Sequence, residues 1–114
     1  MIDEFKENYV KLIEKGILPF LRCSNCDYNT FYIRNYCPKC SSRLEVKESS
    51  GIGKIFSLTE FQGKEGVVVY AIVEMKEGFR MYANVAGKVK PGEEVKVFFT
   101  EKNGKKVPMF YKVI

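Results

Sequence analysis

Four cysteines arranged as two identical pairs constrain this chain more than any other feature. Two residues separate Cys23 from Cys26, two separate Cys37 from Cys40, and ten lie between the pairs. A C-x-x-C turn brings two sulfurs together and leaves backbone amides free to donate hydrogen bonds to them. Two such turns supply four thiolates around one ion. The spacing therefore predicts a metal site with Cys23, Cys26, Cys37 and Cys40 as its ligands, and zinc as its metal.

Rival uses of the cysteines lead to different expectations. Disulfides are disfavoured, because an acidic, amphipathic N-terminus and the lack of a long apolar run predict a cytoplasmic protein. A redox-active pair would be single and would begin a helix in a βαβ setting. Iron stays open, since four thiolates accept either metal. Asp27 and Ser41 follow the knuckles where rubredoxins usually carry glycine, which favours zinc. With every ligand supplied by the protein, we expect a structural role.

The remaining pattern predicts one helix followed by strands. Residues 2–15 carry an apolar stripe at helical spacing, and Gly16 is a natural stop. Residues 48–53 have the composition of a hinge. The stripe consists of Ile2, Phe5, Tyr9, Leu12 and Ile13. The predicted strands are Gly53–Phe61, Gly66–Met75, Phe79–Val85, Glu93–Thr100 and Val107–Val113, with glycine in the turns and Asn103-Gly104 as a hairpin turn.

Five consecutive strands in so few residues predict a small barrel. The OB-fold is the leading five-stranded architecture, and an SH3-like barrel has similar statistics. The predicted fold class is therefore mainly β, with an N-terminal helix, a zinc ribbon and a C-terminal OB-fold barrel. We assign residues 1–19 to the amphipathic helix, 20–48 to the ribbon and 51–114 to the barrel.

The charge distribution is uneven along the chain. The net charge is +5, and residues 51–114 hold eleven basic against seven acidic side chains. A basic half suits a polyanionic ligand, such as nucleic acid or a phosphorylated cofactor. The other interpretation is a solvated, lysine-rich surface, because glutamate is interleaved throughout.

Catalytic patterns are missing from the sequence. The chain contains no histidine, so Ser-His-Asp and Cys-His catalysis within it are excluded. Its carboxylates are scattered over turns and strand ends, and no glycine-rich phosphate loop with lysine occurs. We therefore expect a protein that is not an enzyme, with no catalytic residues.

Two predicted strands indicate a recognition surface. Both sides of strand 66–75 are largely apolar, so one side lines the barrel and the other needs cover from the helix or from another protein. Strand 79–85 directs Arg80, Tyr82 and Asn84 outward, onto the face where OB-folds usually bind ligands. An aromatic side chain beside an arginine could stack a nucleobase or the adenine of coenzyme A. Of Phe110 and Tyr111, one is expected in the core.

The order of these parts resembles a known family, the OB-fold "domain of unknown function" family with a rubredoxin-like zinc ribbon. The resemblance covers almost the whole chain. Two departures are Tyr32-Ile33 in place of Pro-Pro before Arg34, and Asp27 in place of glycine. The matching stretches are Phe20-Leu-Arg-Cys23-Ser-Asn-Cys26, Arg34-Asn-Tyr-Cys37-Pro38-Lys-Cys40 and Gly51-Ile-Gly-Lys-Ile-Phe56.

The resemblance implies a function that the residues alone do not. The resemblance implies an accessory subunit of an acyl-CoA enzyme, since one member looks like the bridge that holds a thiolase to hydroxymethylglutaryl-CoA synthase and helps to shape a shared coenzyme A site, and others pair with thiolase-like partners. We therefore expect a non-catalytic scaffold for a thiolase-family enzyme, with coenzyme A as a further ligand. The alternatives are a nucleic-acid-binding OB-fold protein that uses Tyr82, Arg80 and nearby lysines, and an electron carrier with iron at the cysteines.

Overall fold

A computed structural model describes the backbone of residues 4–113 and the side chains of residues 6–113. The chain forms one helix, a small three-stranded sheet that carries the cysteines, and a closed five-stranded barrel. The elements are α1 (Glu4–Glu14), β1 (Pro19–Cys23), β2 (Asn29–Thr30), β3 (Leu44–Glu48), β4 (Ile52–Gly63), β5 (Gly66–Met75), β6 (Arg80–Ala86), β7 (Glu94–Lys102) and β8 (Lys105–Lys112).

Helix α1 packs its apolar stripe on the small sheet. Tyr9 is buried and Ile13 is partly buried against the cysteine-bearing core. The helix ends before Gly16, whose φ of 80° suits a residue without a side chain. Ile2 and the side chain of Phe5, which the sequence places on the same stripe, lie outside the described residues. The described residues contain no helix with the length and apolar run that crossing a bilayer would take.

The small sheet has the strand order β2-β1-β3, and both pairings are antiparallel. We call residues 19–48, which hold this sheet and the cysteines, the ribbon. The sequence predicts only short extended pieces here, and the structure resolves them into strands of two and five residues.

The barrel has the strand order β4-β5-β6-β8-β7 and closes through β7 onto β4. Its one parallel pairing within the described residues joins β6 to β8, over only Asn84–Ala86 and Met109–Tyr111. This Greek-key connectivity is that of an OB-fold, so the OB-fold prediction is confirmed over the SH3-like alternative. All five strands begin and end within two residues of their predicted bounds. Asn103 and Gly104 both have positive φ, as the predicted hairpin turn requires.

The barrel core follows the predicted alternation. On β5 the side that lines the barrel is that of Val69, Ala71 and Val73, and on β6 the residues that alternate with Arg80, Tyr82 and Asn84 are buried. Phe110 is fully buried while Tyr111 is exposed. Phe20 joins this core from the ribbon, with its ring stacked 5.0 Å from that of Phe79. The division into 1–19, 20–48 and 51–114 stays a prediction, and the packing crosses it.

The segment between ribbon and barrel is tied down, although its composition predicts a hinge. The Ser49 hydroxyl donates to Glu77 Oε1 at 2.8 Å, and the Ser50 amide donates to Oε2 at 2.7 Å. Asn29 of the ribbon donates from Nδ2 to the Glu77 carbonyl at 2.9 Å. Partial burial raises the pKa of Glu77, but the hydrogen bonds from Ser50 and Ser49 outweigh it, so the net pKa is lowered. Glu77 thus fixes the ribbon against the barrel.

Candidate metal centre and aromatic face

The four cysteine sulfurs converge on one point. All four Sγ atoms lie within 4.8 Å of one another. The closest pairs join Cys23 to Cys40 at 3.4 Å and Cys26 to Cys37 at 3.5 Å, so each short contact links one knuckle to the other. In a tetrahedron with metal–sulfur bonds of about 2.3 Å, neighbouring sulfurs lie about 3.8 Å apart. Disulfide sulfurs would lie about 2.05 Å apart. The geometry therefore fits four separate ligands of one ion.

Backbone amides support the sulfurs in both knuckles. The amides of Asn25 and Cys26 donate to Cys23 Sγ at 3.4 and 3.3 Å. The amide of Lys39 donates to Cys37 Sγ at 3.3 Å. These amides partly neutralise thiolate charge, as expected where sulfur is a metal ligand.

The donor set itself calls for a cation. Without one, hydrogen bonds from Ser42 lower the pKa of the Cys40 thiol to about 6. The amide of Tyr28 acts to lower the pKa of Cys26, but desolvation and its contacts with the other three sulfurs raise that pKa to about 12. Four thiolates held this close together repel one another, and a bound cation would supply the compensating charge. Four protein ligands leave no open position, which is typical of a structural metal site.

The cysteines belong to the small core under α1. Cys23 and Cys37 are buried beside Leu21 and Leu44, while Cys26 and Cys40 are half-buried. From the helix, the Tyr9 hydroxyl donates to the carbonyl of Phe31 at 2.5 Å, and burial, with a smaller effect of Tyr32, raises the pKa of Tyr9. Metal site, helix and ribbon therefore form one packed unit.

A second feature lies on the outer surface of the barrel. We define the aromatic face as Tyr32, Phe56, Tyr70 and Tyr82, whose exposed fractions run from 43 to 53%. The rings of Tyr70 and Tyr82 stack with centroids 6.0 Å apart and planes at 8°. Tyr82 alternates with buried residues of β6, as the sequence predicts. Phe56 lies outward by alternation with buried Gly53 and Ile55, at a bulge that shifts the pairing of β4 with β5 by one residue.

The ribbon completes the aromatic face. Tyr32 lies between the two knuckles, its ring 6.4 Å from that of Tyr82. Its phenol oxygen accepts a hydrogen bond of 2.9 Å from the Tyr82 amide, across 50 positions of sequence. Desolvation raises the pKa of Tyr32, against the lowering effect of that hydrogen bond. The sequence analysis did not predict that Tyr32 belongs to the aromatic face, because no local pattern indicates a contact with a residue 50 positions away.

Arg80, which the sequence places on this surface, is already paired. Its guanidinium lies 3.0 Å from a Glu74 carboxylate oxygen and 3.8 Å from the centre of the Phe56 ring. Of the other outward residues predicted on β6, Tyr82 is exposed and Asn84 is half-buried. Helix α1 does not cover the outer side of β5, since it packs on the ribbon and against β8.

Comparison with known proteins extends these observations. The sequence profile of the ChsH2 rubredoxin-like zinc ribbon domain matches residues 12–46. A Methanocaldococcus jannaschii protein described as a "DUF35 domain-containing scaffold protein" is 33% identical over 81 residues, or 63% of this chain. The present chain spans 57% of that relative's length. This chain is therefore similar in sequence to DUF35 proteins.

Solved structures show the same fold. A chain of the "Ltp2-ChsH2(DUF35) aldolase" superposes with a TM-score of 0.82 at 23% identity, covering 99% of this chain and 98% of that one. A DUF35 protein of unknown function from Sulfolobus solfataricus has a TM-score of 0.73 at 18% identity, covering 96% and 86%. The helix, ribbon and barrel of this chain therefore form the same fold as these two structures.

Proposed function

We propose that this chain is a DUF35 protein and a non-catalytic accessory subunit that holds a thiolase-type acyl-CoA enzyme in a complex. The observation that carries the proposal is the aromatic face, a rigid apolar surface left exposed on the barrel beside the ribbon. Contiguous exposed apolar surface on a soluble protein is typical of an interaction site. A relative described as a scaffold protein and a neighbour from an aldolase complex support the same interpretation.

The acidic side chains support a non-catalytic role. Glu74 is engaged by Arg80, and Glu77 accepts hydrogen bonds from the linker. Glu93 lies 2.7 Å from the Lys112 ammonium, whose hydrogen bond lowers the pKa of Glu93. A general acid or base needs a pKa near the working pH, whereas the pKa values of Glu77 and Glu93 are both lowered away from it.

We further propose that the resident metal is zinc, held by Cys23, Cys26, Cys37 and Cys40, with a structural role. Coenzyme A as a ligand of the basic barrel and hydroxymethylglutaryl-CoA synthase as a second partner belong to the same proposal, since both follow from the family resemblance. Iron would give purified protein a visible absorption band and an iron-to-protein ratio near one, so metal analysis tests this point directly.

Nucleic-acid binding is the second candidate function. The stacked pair Tyr70 and Tyr82 lies on the OB-fold surface and could stack with unpaired bases. Such binding predicts an affinity that falls steeply with salt, because phosphate contacts release counterions. Apolar burial against a protein predicts a much weaker dependence on salt.

Affinity purification of the tagged full chain from its source organism, followed by mass spectrometry, tests the proposal. The expected result is recovery of a thiolase-type enzyme that co-elutes at fixed stoichiometry after both proteins are purified and recombined. An untagged competitor should displace the tagged chain from that complex. Recovery of RNA or DNA without an acyl-CoA enzyme would overturn the scaffold function and favour the second candidate.

A further inference from the structure

We propose that the aromatic face is the docking surface for the partner enzyme, and that the ribbon and the barrel build it jointly. This inference rests on the scaffold function proposed above. It adds which part of the surface binds, what chemistry the partner presents there, and why the ribbon is required. The occupant is an apolar, uncharged patch on the thiolase-type enzyme.

The face is assembled from residues far apart in sequence. Phe56 comes from β4, Tyr70 from β5 and Tyr82 from β6, whereas Tyr32 comes from the ribbon loop between the metal-binding knuckles. Phe61 on β4 is 52% exposed and pairs with Val68, on the outer side of the same sheet. The surface therefore crosses from the ribbon over three barrel strands.

Its aromatic rings are held in place before any partner binds. Tyr82 is stacked on Tyr70, and its backbone amide is bound by the Tyr32 phenol. The rings of Tyr32 and Phe31 form a T-shaped pair, with their centroids 5.4 Å apart and their planes at 81°. Phe31 in turn packs into both hydrophobic cores. Rigid tyrosines lose little conformational entropy on binding, and they are frequent at the energetic centres of protein interfaces.

The charges beside the face identify the kind of occupant. Arg80 is paired with Glu74, and Lys54 lies between Glu74 and Glu94 in the strand register. Each of these cations thus borders a carboxylate, so this part of the surface has little net charge. A polyanion needs uncompensated cations along its path, whereas an apolar protein patch is complementary to a neutral aromatic surface. These pairings favour a protein over nucleic acid at this site.

The test compares substitutions on and off the face. Tyr82→Ser and Tyr32→Ser remove one barrel and one ribbon member, and Tyr70→Ser replaces Tyr82→Ser if that variant does not fold. The matched control is Tyr111→Ser, because Tyr111 is 40% exposed on β8 and its ring contacts Phe98 instead. Isothermal titration measures the affinity of each full-length variant for the thiolase-type enzyme recovered with the wild-type chain. NMR spectra and metal content confirm that each variant is folded.

We expect Tyr82→Ser and Tyr32→Ser each to weaken binding at least ~10-fold, as for central interface aromatics, and Tyr111→Ser to change it less than ~2-fold. If the enzyme binds the face variants as tightly as wild type, the docking surface is wrong while the scaffold function stands. If only Tyr82→Ser weakens binding and Tyr32→Ser does not, the ribbon does not contribute to the docking surface. If no thiolase-type enzyme binds the wild type, both the proposed scaffold function and the proposed docking partner are wrong. Oligothymidylate binding that Tyr82→Ser abolishes, beside unchanged enzyme binding, would assign the face to nucleic acid.

Discussion

The strands of the ribbon hold two to five residues each, whereas those of the barrel hold seven to twelve. Among the described residues, the barrel core contains thirteen buried side chains and the ribbon core five, of which Cys23 and Cys37 are two. The barrel strands also close on themselves, while the ribbon sheet remains open at both edges.

This difference shows that the two regions are stable for different reasons. The barrel core holds most of the buried apolar side chains, and each fully buried aliphatic or aromatic side chain contributes about 1.5–3 kcal/mol. The ribbon removes too little apolar surface from water to offset the entropy of ordering its loops. Its missing stabilisation has to come from the metal. Four changes test this contrast.

Metal removal is expected to have the largest effect. Zinc binding contributes ~10–16 kcal/mol in small zinc-dependent units, so a strong chelator should unfold the knuckles and the loop between Cys26 and Cys37. Barrel amides in β5 and β7 should keep their dispersion in NMR spectra and serve as the internal reference. Added zinc should restore the ribbon signals, with metal content followed by mass spectrometry. If the ribbon signals keep their native dispersion in metal-free protein, the ribbon does not depend on the metal for its stability.

A cavity in the barrel comes next in size. Phe110 is fully buried, so Phe110→Ala should lower the free energy of unfolding by about 3–5 kcal/mol. Denaturant unfolding of the metal-loaded protein measures this loss. The bound metal should remain at one ion per folded chain, because the cysteines lie in the other core. Phe61→Ala is the control, expected within about 0.5 kcal/mol since Phe61 is 52% exposed. Equal losses in the two variants would show that the barrel does not depend on its core in this way.

Glu77→Gln should have a moderate effect that depends on pH. The charged carboxylate accepts hydrogen bonds from Ser49 and Ser50, so the variant should lose about 1–2 kcal/mol at pH 7. Because the folded-state pKa lies below the ordinary value of 4.5, this stabilisation is present above pH 4.5 and is lost as pH falls through the folded-state pKa.

Thermal unfolding from pH 7 to 3 measures this dependence. Wild-type stability should fall more than that of Glu77→Gln, so the gap between them narrows at low pH. Glu65→Gln, exposed in the β4–β5 turn, is the control. A gap that stays constant with pH would show that the charge of Glu77 does not matter.

The smallest effect is expected at the seam between the regions. Tyr32→Phe keeps the ring but removes the oxygen that accepts from the Tyr82 amide, which should cost about 0.5–1 kcal/mol. Hydrogen exchange at the Tyr82 amide should become several-fold faster, while Tyr36→Phe in the same loop leaves it unchanged. Protection that survives Tyr32→Phe would mean that the ribbon does not hold this amide.

Local pattern carried much of the prediction. Two-residue alternation with glycine turns located every barrel strand within two residues, because each strand is long enough to show its period. The spacing of the cysteines predicted one cluster of four sulfurs, and in the structure these sulfurs lie within 4.8 Å of one another. The bounds of the ribbon strands were not predicted, because a strand as short as the two residues of β2 has no detectable period.

Contacts between distant residues could not be read from the sequence. The linker has the composition of a hinge, but Glu77 binds it from a loop 27 and 28 positions away in sequence. Phe31 packs into both cores, and Tyr32 reaches Tyr82, although neither neighbours its partners in sequence. The bulge between Ile55 and Ser57 likewise shifts the pairing of β4 with β5 by one residue, and no local signal in the sequence marks it. Such features depend on how the ribbon lies on the barrel, which one-dimensional periodicity does not encode.

The short pairing of β6 with β8 has a consequence for solubility. Only Asn84–Ala86 are paired there, so the earlier part of β6 presents an open strand edge, where Tyr32 binds the Tyr82 amide. Open edges recruit strands from other molecules, and proteins protect them by covering them. By binding the Tyr82 amide, the ribbon covers part of the edge where aggregation could begin. Loss of the ribbon would expose this edge to pairing with a strand of a second chain.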